Sequence, residues 1–333
     1  MTDLILPGLG VIRGSDGFVP LEACSDGRFR AGRDGVRHVL TPADRRVEFI
    51  VFEDRTLAFV GSSLGYPAYY PVHPVAIERP VRAVLMDLDG TTVRSEAFWI
   101  AMIEMTAGSL LGDPSFTLDA SDLPHVSGFS VSEHLQHCIR KYCPGCTVEE
   151  ARRYYFEHTH REMAEILAGR GRAEAFVPAP GVKEFLLALK QDGIRVGVVT
   201  SGLYEKAWPE LVAAFRTMGL GDPRAFYDAI VTAGFPMRAG EPGTLGELSP
   251  KPHPWLYAEV CRVGLGIPFE ERHHVIGLED SGAGVCAVRL AGLAAIGMAG
   301  GNIPDSGTRP LCQHYCTSFD DVLAIIRGSD ASS

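Results

Sequence analysis

The stretch VLMDLDGTTV, residues 84–93, ends an apolar run with two aspartates, a glycine and two threonines. A short continuous apolar run is typical of a strand buried in a parallel sheet. Side chains two positions apart on a strand point the same way, so Asp87 and Asp89 are expected to face one pocket. In open parallel sheets, ligands bind at this carboxyl edge of the strands.

Two neighbouring carboxylates can act in two ways at such an edge. Their mutual repulsion favours a bound divalent cation, and Mg²⁺ prefers hard oxygen ligands. One carboxylate can also attack an electrophile while the other, protonated, donates to the leaving group. The structural alternative is an aspartate that caps a helix beside a turn. The Asp-x-Asp-Gly-Thr order directly after an apolar strand favours the functional interpretation.

The whole chain has 333 residues, of which 46% are hydrophobic, and a formal net charge of −10. This length favours two or three domains. The acidic balance argues against a nucleic-acid-binding surface and against a polybasic membrane patch. The opening stretch MTDLILPGLGVIRG fits neither a signal peptide nor a transmembrane helix. We therefore expect a cytoplasmic protein whose eight cysteines are reduced and mostly buried.

Residues 1–80 differ in pattern from the rest of the chain. Short apolar stretches separated by turn signals such as GSDG and GRDG predict a small β-rich module of unknown role. Within it, VEFIVFEDRTLAFVG (residues 47–61) predicts two strands around a tight turn. Four prolines in residues 66–80 indicate an extended connector rather than a helix.

From residue 81 onward, the pattern predicts an α/β fold with a Rossmann-like parallel sheet and helices on both faces. The apolar runs that predict its strands are VRAVLMD, IRVGVVT, DAIVT, HHVIGL and LAAIGM. Residues 81–93 and 178–333 would form this core. The intervening residues 94–177 carry apolar residues at helical spacing and predict an inserted helical cap, in which Thr147 and Glu150 form a capping box.

Four motifs occur in an order that resembles the haloacid dehalogenase superfamily of phosphatases and phosphomutases. They are DLDGT (87–91), VVTSG (198–202), SPKPHP (249–254) and IGLEDSGAG (276–284). The resemblance extends over residues 81–327. It implies that Asp87 is a nucleophile and that Asp89 is the general acid and base. It also implies that Thr200 hydrogen-bonds the phosphoryl group and that Lys251 neutralises its charge.

The same resemblance implies a magnesium site and a phosphate site. The implied metal ligands are Asp87, Asp89, Glu279 and Asp280, with Asp280 the more direct ligand of the last pair. The implied phosphate-binding residues are Asp87, Gly90, Thr91, Thr200, Ser201, Gly202 and Lys251. Strand-to-helix turns offer backbone donors to an anion, and clustered acidic groups require a cation.

The expected reaction is hydrolysis of a small phosphorylated metabolite, a sugar phosphate by resemblance, through an aspartyl-phosphate. Asp87 attacks phosphorus in line while Asp89 protonates the leaving oxygen and later takes a proton from water. Mg²⁺ and Lys251 offset the charge on the phosphoryl oxygens. Neither a nucleic acid nor a membrane is an expected partner, and the sequence leaves the oligomeric state open.

Several alternatives to a phosphatase fit the sequence less well. The chain is similar to β-phosphoglucomutase and to helical-cap sugar-phosphate phosphatases, but Val131 and Trp99 stand where the mutase has an arginine and a histidine. A mutase must hold a second phosphate, so the missing cationic clamp favours hydrolysis. Val131 also stands where a phosphonate hydrolase has a Schiff-base lysine. A dehalogenase does not require Asp89. A phospho-ligand sensor or assembly protein that uses residues 1–80 is the alternative outside enzymes.

The helical cap is expected to close over the site on hinges near residues 92–95 and 177–181. Its candidate substrate contacts are Trp99, His125, Phe129 and Ser130. Core packing or simple surface exposure would explain each of these four residues equally well.

Two further stretches contain residues that suggest other roles. CPGC (143–146) and LCQHYC (311–316) carry metal-ligating side chains. A zinc site would require these distant segments to meet, and a thioredoxin-like motif would require a preceding strand. GFPMRAGEPGTLGEL (234–248) predicts an inserted surface loop, near the pocket or against the N-terminal module.

Overall fold

The computed structural model describes residues 3–14, 16–61, 67–122, 131–172, 175–232 and 249–328. Its contacts group the chain into two compact units. The first comprises Met1–Thr92, Ala179–Ala207 and Pro223–Ser333, and the second comprises Val93–Pro178 and Trp208–Asp222. The three-part division at residues 80, 93 and 177 stays a prediction. The loop predicted over 234–248 lies outside the described residues.

Seven short strands form the N-terminal part of the first unit. They are β1 (Leu4–Leu6), β2 (Gly10–Ile12), β3 (Val19–Leu21), β4 (His38–Thr41), β5 (Val47–Val51), β6 (Thr56–Val60) and β7 (Ala68–Pro71). Strands β1 and β2 form an antiparallel hairpin, and β3 to β7 form a five-stranded antiparallel sheet in sequence order. The predicted hairpin over residues 47–61 is confirmed, with Phe52 N donating to Arg55 O at 2.8 Å.

Part of the proline-rich stretch that was predicted as an extended connector forms a paired strand. Its beginning forms β7, which pairs with β6 at one edge of the sheet. Pro71 is tolerated there because an edge strand does not need every amide for the ladder. Residues Tyr69 and Tyr70 consequently point to opposite faces of this strand.

Both faces of the N-terminal sheet are covered, which explains the continuous apolar run of β5. Val47, Phe49 and Val51 join one hydrophobic core with residues of the parallel sheet such as Leu85. Ile50, which points the other way, packs in a smaller cluster within the N-terminal part. A module of about 80 residues has little interior of its own. Sharing a core with the parallel sheet supplies the missing burial.

The chain then enters the central sheet through β8 (Ala83–Asp87) and continues into the second unit. The elements of that unit are β9 (Val93–Arg94), α1 (Glu96–Leu111), α2 (Val131–Tyr142), α3 (Val148–Leu167) and β10 (Val177–Pro178). The helical character predicted for residues 94–177 is therefore present in α1, α2 and α3. Thr147 caps α3, since its hydroxyl accepts a hydrogen bond from Glu150 N at 3.2 Å.

The chain then returns to the first unit and completes its parallel sheet, apart from Trp208–Asp222, which belongs to the second unit. The remaining elements are α4 (Val182–Gln191), β11 (Arg195–Thr200), α5 (Tyr204–Met218), α6 (Pro223–Phe226), β12 (Ala229–Thr232), α7 (Trp255–Glu259), β13 (Val275–Glu279), α8 (Gly282–Leu290), β14 (Ala294–Met298), α9 (Ile303–Ser306), β15 (His314–Cys316) and α10 (Phe319–Arg327). Six parallel strands lie in the order β12-β11-β8-β13-β14-β15, which confirms the predicted fold class.

Two of the cysteines form a disulfide, whereas all eight were expected to be reduced. Cys143 and Cys146 form a disulfide, with Cα atoms 5.5 Å apart, in the turn between α2 and α3. Within the described ranges, no cluster of three metal-ligating side chains includes Cys312 or His314. Among the described residues, no helix has the length and apolar character needed to cross a membrane.

Candidate active site

Three neighbouring strands of the central sheet bring the motif residues to one edge. Asp87 ends β8, Thr200 ends β11 and Glu279 ends β13. The parallel register places Val199 beside Asp87 and Leu278 beside Met86, so the three strands end at the same level. All three motif side chains are buried.

The turn after β8 is shaped by Gly90. Its φ of +88° lies in the region that favours glycine, and a Cβ there would lie 2.1 Å from Asp280 Oδ2. Thr92 Oγ1 stabilises the same turn by donating to the Asp87 carbonyl at 2.5 Å. The Gly-Thr part of the first motif thus lets the backbone of the turn approach the carboxylate of the fourth.

Lys251 links the nucleophile position to the acidic pair. Its Nζ contacts Asp87 Oδ1 and lies 2.6 Å from Glu279 Oε1. The Lys251 side chain is only 6% exposed. Its backbone is held by Ser201, whose Oγ accepts from Lys251 N at 3.2 Å. The second and third motifs therefore meet through a backbone-to-side-chain hydrogen bond.

Burial and close charges shift the pKa values of this group in opposed ways. Burial raises the pKa of Asp87 well above its ordinary 3.8, although the Lys251 ammonium opposes the shift. Burial acts to lower the pKa of Lys251, but the carboxylates of Asp87 and Glu279 outweigh it and raise that pKa. Burial, followed by the charge of Glu279, raises the pKa of Asp280 to about 7. The site thus disfavours a full set of ionised carboxylates on its own.

Glu279 is held on both of its oxygens. Oε1 accepts from Tyr257 Oη at 2.5 Å as well as from Lys251, and Oε2 accepts from Ser281 Oγ at 3.2 Å. A Cβ on Gly284 would lie 1.9 Å from Glu279 Oε2. The glycine-containing fourth motif therefore permits a helix to start close to the Glu279 carboxylate.

A divalent cation fits the carboxylates that the fold brings together. One oxygen each of Asp87, Glu279 and Asp280 lies within 4.8 Å of the other two. Three carboxylates against the single Lys251 ammonium leave two negative charges uncompensated when all are ionised. Oxygen ligands and this charge match the preferences of Mg²⁺. Thr91 Oγ1, 3.5 Å from Asp280 Oδ1, orients the outermost of the three.

Asp89 is the fourth predicted metal ligand, and its side chain is not part of this cluster among the described residues. Its Oδ2 instead lies 3.4 Å from Thr200 Oγ1. Thr200 Oγ1 also accepts from Gly202 N at 2.9 Å, so this amide is engaged within the turn. Asp89 thus lies beside the predicted phosphate-binding hydroxyl and accepts a hydrogen bond from it.

Of the four candidate substrate contacts predicted in the cap, the structure describes Trp99. Trp99 packs on Phe98 at a ring distance of 4.9 Å and on Phe176 at 6.2 Å, within an aromatic cluster of the second unit. The remaining candidates lie outside the described residues: His125, Phe129 and Ser130.

One site residue was missed by the sequence motifs. Tyr257 lies on α7, is fully buried, and contacts both Glu279 and Lys251, whose Nζ is 5.4 Å from its ring centroid. The spacing of six residues from Lys251 along the start of an amphipathic helix carries no recognisable signal. The signal that could have indicated Tyr257 as a site residue is the presence of a tyrosine on the buried face of that helix.

Comparisons with known proteins agree with this arrangement. Residues 81–292 match the family model described as a haloacid dehalogenase-like hydrolase. No curated protein matches the chain. The fold is similar to that of CbbY from Rhodobacter sphaeroides in complex with xylulose-(1,5)bisphosphate, with a TM-score of 0.51, 22% identity, and coverage of 72% of this chain and 95% of that one.

Two further solved structures share the fold. A predicted phosphoglycolate phosphatase from Haemophilus somnus has a TM-score of 0.54 and 21% identity, and the match covers 74% of this chain and 98% of that one. A candidate β-phosphoglucomutase from Thermotoga maritima has a TM-score of 0.52 and 20% identity, with coverage of 74% and 99%. At these identities the likeness concerns the fold.

The family match covers well over half of the chain and contains all the motif residues that meet at the sheet edge. Residues 1–80 lie outside it. The prediction of an enzyme of the hydrolase class is confirmed by this match. The chain belongs to the haloacid dehalogenase-like hydrolase family.

Proposed function

We propose that this hydrolase is a Mg²⁺-dependent phosphatase that cleaves a small phosphate monoester, a sugar phosphate, through an aspartyl-phosphate on Asp87. The observation that carries the proposal is the contact between the Asp87 carboxylate and the buried Lys251 ammonium, beside two further carboxylates. A cation next to the attacking carboxylate is what an approaching phosphoryl anion requires.

In the first step, an oxygen of Asp87 forms a bond to phosphorus as the bond to the leaving alcohol breaks. Asp89 donates its proton to the alcohol oxygen. Lys251 stays in contact with Asp87 and offsets the charge of the phosphoryl oxygens. In the second step, water attacks phosphorus, Asp89 accepts its proton, and Asp87 leaves as a carboxylate.

Asp87, Glu279 and Asp280 would hold the metal ion, which supplies Lewis-acid stabilisation of the phosphoryl oxygens when bound. Thr200 would hydrogen-bond the phosphoryl group through Oγ1 because this hydroxyl lies at the end of β11, next to Asp89. Its acceptance of a hydrogen bond from Gly202 N keeps the hydroxyl in place, and its proton, which it donates to Asp89 in this structure, would turn to a phosphoryl oxygen.

A panel of phosphate monoesters tests the proposal. Purified protein is assayed for phosphate release with Mg²⁺ and with EDTA, on glucose phosphates, phosphoglycolate and xylulose 1,5-bisphosphate. The bisphosphate is included because it is the ligand of the CbbY structure. We expect metal-dependent hydrolysis that Asp87→Asn reduces by at least about 10³-fold, since the nucleophile is lost.

Three outcomes contradict this function. Full hydrolysis by Asp87→Asn would exclude Asp87 as the nucleophile. Bisphosphate-primed isomerisation of a glucose phosphate that is faster than phosphate release would identify a phosphomutase instead. Binding of phosphorylated ligands with no turnover at all would favour the sensor hypothesis.

A further inference from the structure

Tyr70 connects the N-terminal sheet to the segment that carries Lys251. It lies on β7, and its hydroxyl oxygen is 2.8 Å from His253 Nδ1 and 2.9 Å from Trp255 Nε1. The Tyr70 and His253 rings also pack edge to face, with centroids 5.8 Å apart. His253 follows Lys251 by two residues, and Trp255 is the first residue of α7. All of these residues belong to the first compact unit.

One donor in this cluster is fixed by its chemistry. An indole N–H only donates, so the Tyr70 oxygen accepts from Trp255. The Tyr70 hydroxyl and His253 Nδ1 share a second hydrogen bond, whose donor depends on the imidazole tautomer. Burial lowers the pKa of His253, in keeping with a neutral ring. The Tyr70 hydroxyl therefore bonds two residues of the same segment, His253 and Trp255.

The segment held by Tyr70 contains two residues of the candidate site. Lys251 precedes His253, and Tyr257, which donates to Glu279, shares the short helix α7 with Trp255. The Tyr70 hydroxyl oxygen thus forms hydrogen bonds to this segment at His253 and Trp255. Both residues lie between Lys251 and Tyr257 in the chain. A shift of these contacts would move Lys251 and Tyr257, two of the three side chains that hold Glu279.

We propose that Tyr70 is a positioning residue that fixes the 250–257 segment, and with it the Lys251 ammonium, for phosphoryl transfer. Residues 1–80, which lie outside the family match, would then contribute to turnover as well as to folding. The part of this inference that concerns turnover rests on the proposed phosphatase function. The fixing of the segment can be measured without it.

Simple packing predicts a different result from positioning. Tyr70 also lies against the hydrophobic core shared by the two sheets, and a phenylalanine would preserve that contact. Loss of hydrogen bonds between neutral groups typically lowers folding stability only modestly. In contrast, misplacement of a catalytic group by about 1 Å can cost roughly 10²-fold in rate. Loss of the Tyr70 hydroxyl should therefore affect kcat more than stability.

The adjacent tyrosine provides a matched control. Tyr69 lies on the opposite face of β7, and its hydroxyl donates to Asp26 within the N-terminal part. Tyr69→Phe therefore removes one hydroxyl hydrogen bond from the same strand without touching the 250–257 segment. For Tyr70→Phe we expect kcat to fall by about 5- to 50-fold with a smaller change in KM, and for Tyr69→Phe less than about twofold.

Hydrogen exchange supplies a readout that does not require turnover. Full-length Tyr70→Phe, without metal, should show faster deuterium uptake than wild type in peptides that cover residues 250–259, whereas Tyr69→Phe should not. A second pair of variants guards against misfolding. His253→Asn retains an acceptor near the position of Nδ1 and should keep a higher kcat than His253→Ala.

The outcomes separate this inference from the proposed function. If wild type hydrolyses phosphate esters and Tyr70→Phe retains its kcat, the inference is wrong, whatever the exchange shows. If wild type hydrolyses none of the esters, the proposed function fails and exchange alone decides. Faster exchange at 250–259 in Tyr70→Phe would then support the fixing of the segment, and unchanged exchange would overturn it.

Discussion

Tyr257 donates its phenolic hydrogen to Glu279 Oε1 across 2.5 Å, and neither side chain is exposed to solvent. The same oxygen lies 2.6 Å from Lys251 Nζ. Burial and the charge of Glu279 raise the pKa of Tyr257 well above its ordinary value, so the phenol stays a donor. A buried carboxylate with two such donors has a fixed orientation, which a metal ligand requires.

Replacement of Tyr257 by phenylalanine should weaken this arrangement. The variant leaves a buried, charged acceptor with one partner fewer, and hydrogen bonds to charged groups contribute about 1.5–3 kcal/mol. We expect the free energy of unfolding, measured with urea in metal-free buffer, to fall by about that amount. A value within about 0.5 kcal/mol of wild type would show that the bond contributes little. The control is Tyr69→Phe, which removes the hydroxyl that donates to Asp26.

Mg²⁺ should stabilise the protein more at pH 8 than at pH 6. The folded pKa of Asp280 is about 7 against an ordinary 3.8, so the folded, metal-free protein retains a proton that the unfolded chain releases. Its stability therefore falls as the pH rises from about 4 towards 7. Metal binding requires the deprotonated carboxylate and offsets this loss at higher pH. The rise in Tm on addition of Mg²⁺, measured at both pH values, checks the prediction.

Asp280→Asn gives the corresponding control. It removes both the titration and one of the three clustered oxygen ligands, so the Mg²⁺-dependent rise in Tm should become small at either pH. An equal response to Mg²⁺ in the variant and in wild type would place the metal elsewhere.

Gly284→Ala should displace the Glu279 carboxylate and so disrupt the candidate metal site. The new Cβ would lie 1.9 Å from Glu279 Oε2, and Glu279 cannot yield because Tyr257, Lys251 and Ser281 hold it. Overpacking of this kind typically costs about 1–3 kcal/mol. We expect a lower urea midpoint and loss of the Mg²⁺ response. Gly145→Ala, where a Cβ meets nothing within 4 Å, should leave both unchanged.

Removal of residues 1–80 should impair folding. Their residues Ile12 and Phe49 share one hydrophobic core with Leu85, and Arg289 Nη2 donates to Gly8 O at 2.8 Å. The truncated chain would expose this core, so we expect aggregation in size-exclusion chromatography. Removal of residues 329–333 serves as the control. A soluble truncated chain with the wild-type Tm would show that the shared core is dispensable.

The parallel strands could be predicted because burial on both faces demands continuous apolar residues. The runs ending near Asp87 and Thr200, and those at 228–232, 273–278 and 293–298, all became strands of the central sheet. The sixth strand, β15 (His314–Cys316), escaped prediction because three residues at a sheet edge, one of them histidine, form too short an apolar run.

The acidic motif residues could likewise be predicted to meet, since neighbouring parallel strands end at one edge. Their individual partners could not. Asp89 lies two residues from Asp87, yet its side chain approaches Thr200 while Asp87 contacts Lys251. Alternation along a strand places a carboxylate on a face, but which partner it reaches depends on the turn beyond the strand.

The periodicity of apolar residues and the order of motifs in the chain were sufficient for the α/β class, the helices of the second unit and the meeting of the acidic residues at the strand ends, because each leaves a local pattern. The disulfide of Cys143, the merging of the N-terminal sheet with the parallel sheet, and the contacts of Tyr70 and Tyr257 leave none. Tyr70 and His253 are separated by 183 residues, and only the packing of two sheets on one core brings them together.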